Sequence, residues 1–184
     1  MATVQHNVLT TTNLHEPKGV AAATAGQIYR ADGAASGAWQ STQYGSIHTL
    51  ESASHTLATI GTTKKLFAGF LTDGVSSGCT VAHGTDSITV ALAGVYWIDF
   101  NLTFSTVGAG DSGTYHFHVR VDNVESAFGV GRYMSGTNDT GSAGIGCLLT
   151  LAASEVITIW VDSDNGSNID DINVEHAVLT VVGL

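Results

Sequence analysis

Between Gly94 and Phe104 apolar and polar residues alternate without a break: Tyr96, Ile98, Phe100, Leu102 and Phe104 fall on one side of an extended chain, Trp97, Asp99, Asn101 and Thr103 on the other. Successive side chains of a pleated strand point to opposite faces, so this is the pattern of a strand with one face in a core. Runs over Leu66–Phe70, Cys79–Ala82, Ser87–Val90, Tyr115–Asp122, Ser126–Tyr133, Gly146–Leu151, Val156–Asp162 and Asn173–Val182 predict further strands. Turns are expected at Thr72–Gly78, Gly108–Gly113, Ser135–Gly141 and Ser163–Asp170, where Gly, Ser, Asn and Asp collect. Many short strands with little helix predict an all-β, antiparallel two-sheet sandwich.

The pattern stops short of the N-terminus. Residues 1 to about 45 show no apolar period; Pro17 disfavours a helix through Glu16, and Gly26, Gly33 and Gly37 divide the rest into short extended pieces. Such a segment cannot bury enough surface of its own to offset an ordering cost of about 1–2 kcal/mol per residue. It nevertheless carries Leu14, Ile28, Tyr29 and Trp39, which need a partner surface. The chain therefore divides into an extended N-terminal anchoring arm, residues 1–45, and a packed body, residues 46–184, with 46–65 the least patterned part of the body.

Composition supports a packed β module: of 184 residues 43% are apolar and only 12% charged, and glycine is abundant. A net charge of −10 with six scattered Lys and Arg offers no basic stripe for phosphates, so nucleic acid is not an expected partner. No stretch approaches the roughly 20 apolar residues that span a bilayer, and no basic segment leads into an apolar one at the N-terminus. Neither a membrane nor export is expected. Cys79 and Cys147, far apart and both flanked by apolar residues, read as buried free thiols of a protein made and assembled in a reducing cytoplasm.

The motifs that could carry chemistry are incomplete. His116 and His118 share one face of a strand, with Gly110 six residues before the first, as in the metal-binding block of cupin jelly rolls. Asp122 and Asn123 stand where that block needs its carboxylate, the downstream proline is missing, and His176 is the only later histidine. No metal and no cofactor are expected. Asp162, Asp164, Asn168, Asp170 and Asp171 concentrate oxygen atoms in one loop, but without the spacing or closing glutamate of a calcium hand they read as an exposed turn. No nucleophile elbow and no phosphate-cradling glycine loop is present, and the histidines show no spacing that singles out a base. The chain does not read as an enzyme.

Trp97 stands on the outward face of a strongly apolar strand, and Trp160 shares a face with Val156 and Thr158 while Ile157, Ile159 and Val161 take the other. Apolar residues on both faces of a strand mean that both are covered, and a subunit interface is one way to cover them. The order and spacing of Gly94–Leu102, Phe117–Asn123, Leu149–Val156 and Val178–Leu184 resemble the jelly-roll domain of the tumour necrosis factor and complement-globular-head superfamily, over residues 65 to 184. The resemblance implies a tight homotrimer that binds protein or carbohydrate and performs no chemistry. Tyr96, Trp97, Phe117 and Trp160 are expected at the trimer interface.

The arm is similar to segments of tailed-bacteriophage virion proteins in Leu14, His15, Glu16, Pro17, Lys18 and Gly19, followed by Gly26, Gln27, Ile28 and Tyr29 and then Asp32–Trp39. These resemblances together imply a capsid decoration or head-fibre protein on the virion's capsid surface. The knob would be a trimer, and Leu14–Gly19, Gln27, Ile28, Tyr29 and Trp39 would bind the major capsid protein. The rival expectation is a tail-fibre tip that recognises a host glycan or protein through the loops Ser135–Gly141 and Ser163–Asp171. No collagen-like or coiled-coil shaft is present to favour it.

Overall fold

The computed structural model describes residues 23–33, 36–50, 55–107, 112–136, 138–164 and 170–184. All regular structure among them is strand, and every pairing is antiparallel. The chain forms two units, Met1–Thr42 and Gln43–Leu184.

In the first unit β1 (Gln27–Gly33) and β2 (Ser36–Ser41) form a hairpin in which Tyr29 lies opposite Trp39. The arm was expected as short extended pieces, and β1 and β2 are two such runs, too short and too polar to show a period, paired with each other. The boundary moves. Position 45 falls inside β3 (Tyr44–His48), a full member of the body's sheet.

The body is a two-sheet jelly roll. One sheet runs β12 (Thr140–Leu151), β9 (Gly94–Thr106), β14 (Asp170–Gly183), β3 and β6 (Thr72–Ser77), with β4 (His55–Ile60) also on β14. The other runs β11 (Val124–Met134), β10 (Gly113–Val121), β13 (Val156–Ser163), β8 (Ser87–Val90) and β7 (Cys79–Ala82), with β5 (Lys65–Leu66) on β13. The chain thus crosses between the two sheets repeatedly, and the alternating residues meet in the middle. Phe104 and Phe117 stand 5.2 Å apart edge to face, Phe104 and Tyr115 5.6 Å, and Phe67 reaches both Phe100 and Phe117 at about 6 Å. Paired rings of this kind contribute about 0.5–1.5 kcal/mol each beyond their buried area. Asp86, itself buried, accepts the Phe70 and Leu71 amides at 2.8 and 3.0 Å and pins the loop that brings Phe67 inward.

Eight of the expected strands stand where the alternation put them. Of the expected Leu66–Phe70 strand only Leu66 lies in a strand, β5, and the expected turn at Thr72–Gly78 is instead β6, an edge strand whose Gly74 lies against Ser46.

Candidate interaction surface

Tyr96 and Phe117 are core residues. Tyr96 is 1% exposed with its hydroxyl donating to the Leu92 carbonyl at 2.6 Å, and Phe117 is fully buried among Phe67, Phe100 and Phe104. Their expected place at a trimer interface is therefore corrected, because the sandwich itself consumes both side chains. Trp97, on the opposite face of β9, stays 41% exposed.

Around Trp97 the outer face of the first sheet carries an apolar row. Leu148 of β12 lies directly opposite Trp97, Trp97 opposite Val182 of β14, and Val182 opposite Tyr44 of β3. Val75 of β6 closes the row over an apolar hollow of about 400 Å³ that also touches Tyr44 and Val182. Leu148 is 50% and Val75 72% exposed. The row needs a glycine: a Cβ at Gly146 would stand 2.8 Å from the Trp97 ring, so the indole lies across β12 only because that position is bare.

Beyond the row the same face turns polar. Asn101 Nδ2 donates to Asp99 Oδ2 at 2.8 Å, the Thr103 and Ser142 hydroxyls are 3.0 Å apart, and Asn101 lies over Gly144. An open trough of about 550 Å³ runs between Thr49, Asn101, Ser142, Gly144 and His176. Sequence reading found Trp97 but missed Tyr44, Val75, Leu148 and Val182. The available signal was consecutive apolar residues, Leu148–Leu149 and Val181–Val182, which put apolar groups on both faces of a strand.

The outer face of the second sheet is organised differently. His116 and His118 stand on β10 as the two-residue spacing predicts, half-buried, with Tyr115, Phe117 and Val119 turned inward. Asp162 Oδ1 lies 3.3 Å from both His116 Nδ1 and His118 Nε2, and His118 Nδ1 is 3.2 Å from Glu125, which Lys64 also holds. The Lys64 ammonium keeps the Glu125 carboxyl below its ordinary range. Trp160, the other expected interface residue, is half-buried here: Arg120 stacks on its ring at 4.3 Å and its Nε1 donates to Thr158 Oγ1. Among the described residues no three His, Cys, Asp or Glu are placed to hold a metal.

The acidic loop does not converge on a point in its described part. Asp164 accepts the Thr114 amide at 2.7 Å, Asp171 the Thr59 amide at 2.7 Å, and Asp162 belongs to the histidines; residues 165–169 lie outside the described residues. In the Ser135–Gly141 loop Ser135 N and Oγ both donate to Asp139, while the Asn138 and Asp139 amides donate to Thr106 of β9. Cys79 and Cys147 are free thiols; burial pushes Cys79 up to about 11 and raises Cys147, so neither is a ready nucleophile. Of the expected arm residues, Gln27, Ile28, Tyr29 and Trp39 lie on the hairpin, and Leu14, His15, Glu16, Pro17, Lys18 and Gly19 lie outside the described residues.

With its strand order and inward aromatic layer, the body is a tumour necrosis factor-like jelly roll. It is similar to the solved structure of Eiger TNF from S. frugiperda, with a TM-score of 0.54 over 78% of this chain and 92% of that one, at 12% identity. That identity shows a shared fold and nothing further. No protein-family model and no curated protein sequence matches the chain.

Proposed function

We propose that this chain is a structural phage-particle protein. Its jelly-roll body assembles as a homotrimeric knob, and its N-terminal unit attaches that knob to the major capsid protein on the capsid surface. The observation that carries the reading is the uncovered row Leu148–Trp97–Val182–Tyr44–Val75 on one face of an otherwise well-packed sandwich. Exposed apolar patches on soluble proteins mark interaction sites, and a ring of identical copies covers such a patch while leaving nothing open. The virion assignment rests on the arm's likeness to phage particle proteins and on the division into two units, which lets one part bind while the other assembles.

Function as decoration is mechanical. Three arms on one trimer multiply the strength of individually weak contacts. The full-length protein, mixed with undecorated capsids, sediments with them, and a chain lacking residues 1–42 remains a folded trimer in the supernatant. Sedimentation of the truncated chain would refute attachment through the N-terminal unit. A tail-fibre tip would carry its affinity in loops such as Ser135–Gly141, where Asp139 and Thr106 already engage several polar groups, so that reading has less support.

A further inference from the structure

We infer that the polar trough on the outer face of the first sheet is a binding site for a neutral saccharide, a task separate from the assembly proposed for the apolar row. Two cross-strand rungs build it. Gly144, Asn101 and Val178 stand in register on β12, β9 and β14, and Ser142, Thr103 and His176 form the next outward-facing rung. Strands lie about 4.8 Å apart, so three of them give the trough a width of about 10 Å. Its volume of about 550 Å³ falls in the range of small-molecule sites, roughly 300–1,000 Å³. Trp97 stands four residues before Asn101 on β9, about 13 Å along the strand, so the trough lies beyond the apolar row. The floor is open because Gly144 is bare: a Cβ there would stand 2.4 Å from Asn101 Oδ1. On the opposite wall the register of β14 shifts between Val174 and His176, the mark of a bulge, and bulges re-aim side chains. His176 stands exposed on that wall, and Thr49, whose hydroxyl accepts the Ala177 amide at 3.0 Å, closes the end.

The chemistry of the lining selects the ligand. Among the described residues no Asp, Glu, Lys or Arg lines the trough, so neither an ammonium nor a phosphate would meet a counter-charge there. What the lining offers is uncharged donors and acceptors side by side. Asn101 gives one amide hydrogen to Asp99 and keeps the other together with Oδ1. The Thr103 and Ser142 hydroxyls share one hydrogen bond between them, which leaves one donor and several lone pairs for a ligand. The His176 imidazole has no partner among the described residues and in its neutral form adds one donor and one acceptor. A sugar hydroxyl donates and accepts at once, and so matches each of these groups. The C–H face of a pyranose ring finds its counterpart in Ala143 and Val178, the apolar members of the same lining. No charged ligand uses both features.

The test is saturation-transfer NMR on the full chain with the methyl glycosides of glucose, galactose, mannose and N-acetylglucosamine, and with glucuronate as the charged comparison. At least one neutral glycoside receives transfer, and its Kd rises by roughly tenfold or more in Asn101→Ala and in His176→Ala. Gly144→Ala, which pushes Asn101 aside without removing it, gives the same loss. The mass and the circular dichroism of the three variants stay those of the wild type, because none of these side chains belongs to the core or to the apolar row. Tighter binding of the matching oligosaccharide marks a glycan chain as the source of the sugar and equal binding a free sugar; either result supports the site. Absence of transfer to every neutral glycoside overturns it. So does transfer that none of the three substitutions weakens, or glucuronate binding more tightly than the neutral sugars.

Discussion

The two sheets of the body differ on their outer faces. In the middle of the second sheet's outer face the charged groups are tied to one another: Asp162 serves two imidazoles, His118 reaches two carboxylates, Glu125 holds Lys64, and Arg120 covers Trp160. On the first sheet the largest side chain, Trp97, is backed by a bare glycine and left open, in register with three more exposed or half-exposed apolar groups. The middle of one face is closed by polar contacts within the chain, with Tyr133 of β11 exposed at its edge, whereas the middle of the other is an open apolar row. Burial of a tryptophan is favourable wherever it occurs, so its exposure across a whole sheet points to a surface covered by something outside the chain.

The largest effect should come from Trp97→Asp. A charge in the centre of a buried patch, with the aromatic anchor gone, costs assembly about 2–4 kcal/mol, and light scattering should then find monomers at concentrations where the wild type is a trimer. Circular dichroism of that variant should remain that of a folded β protein, since Trp97 contributes nothing to the core. On the face closed by polar contacts the outcome reverses. Asp162→Ala removes the carboxylate that His116 and His118 share, leaving His118 only Glu125, and should lower folding stability by about 1–3 kcal/mol in denaturant titration without changing the oligomer.

Gly146→Val is a smaller perturbation on the assembly face. Its Cβ displaces the indole rather than removing it, so the trimer should weaken by about tenfold, or about 1.4 kcal/mol. The smallest effect belongs to Glu125→Gln. The folded-state carboxyl is depressed by Lys64, so its contribution is present above the unfolded glutamate value, near 4.3, and is lost as pH falls through the folded one. The melting-temperature difference between wild type and variant should therefore exist at neutral pH and vanish in acid.

Legibility followed the period of two, clearest in β9 of the first sheet and in β10 and β13 of the second. Alternation in Tyr115–Val121 and Val156–Val161 located β10 and β13, turned the histidines outward and gave the sandwich its core, because one buried face imposes a period of two. Strands without such a period were harder. The start of β12, Thr140–Gly146, is mostly Gly, Ser and Ala and carries no period; it becomes a strand because Phe104, Leu102 and Phe100 on β9 supply the pairing partner. The β1–β2 hairpin was invisible for the same reason. Tyr96 and Phe117 were expected at an interface because the resembled superfamily is trimeric, although the alternation puts them on the faces opposite Trp97 and the histidines.

The molecular mass in solution tests the central claim most directly. Multi-angle light scattering on the full chain at micromolar concentration should return three times the 19.0 kDa of one chain. A mass of 19.0 kDa would mean that the row around Trp97 stays open in water, and would contradict the account.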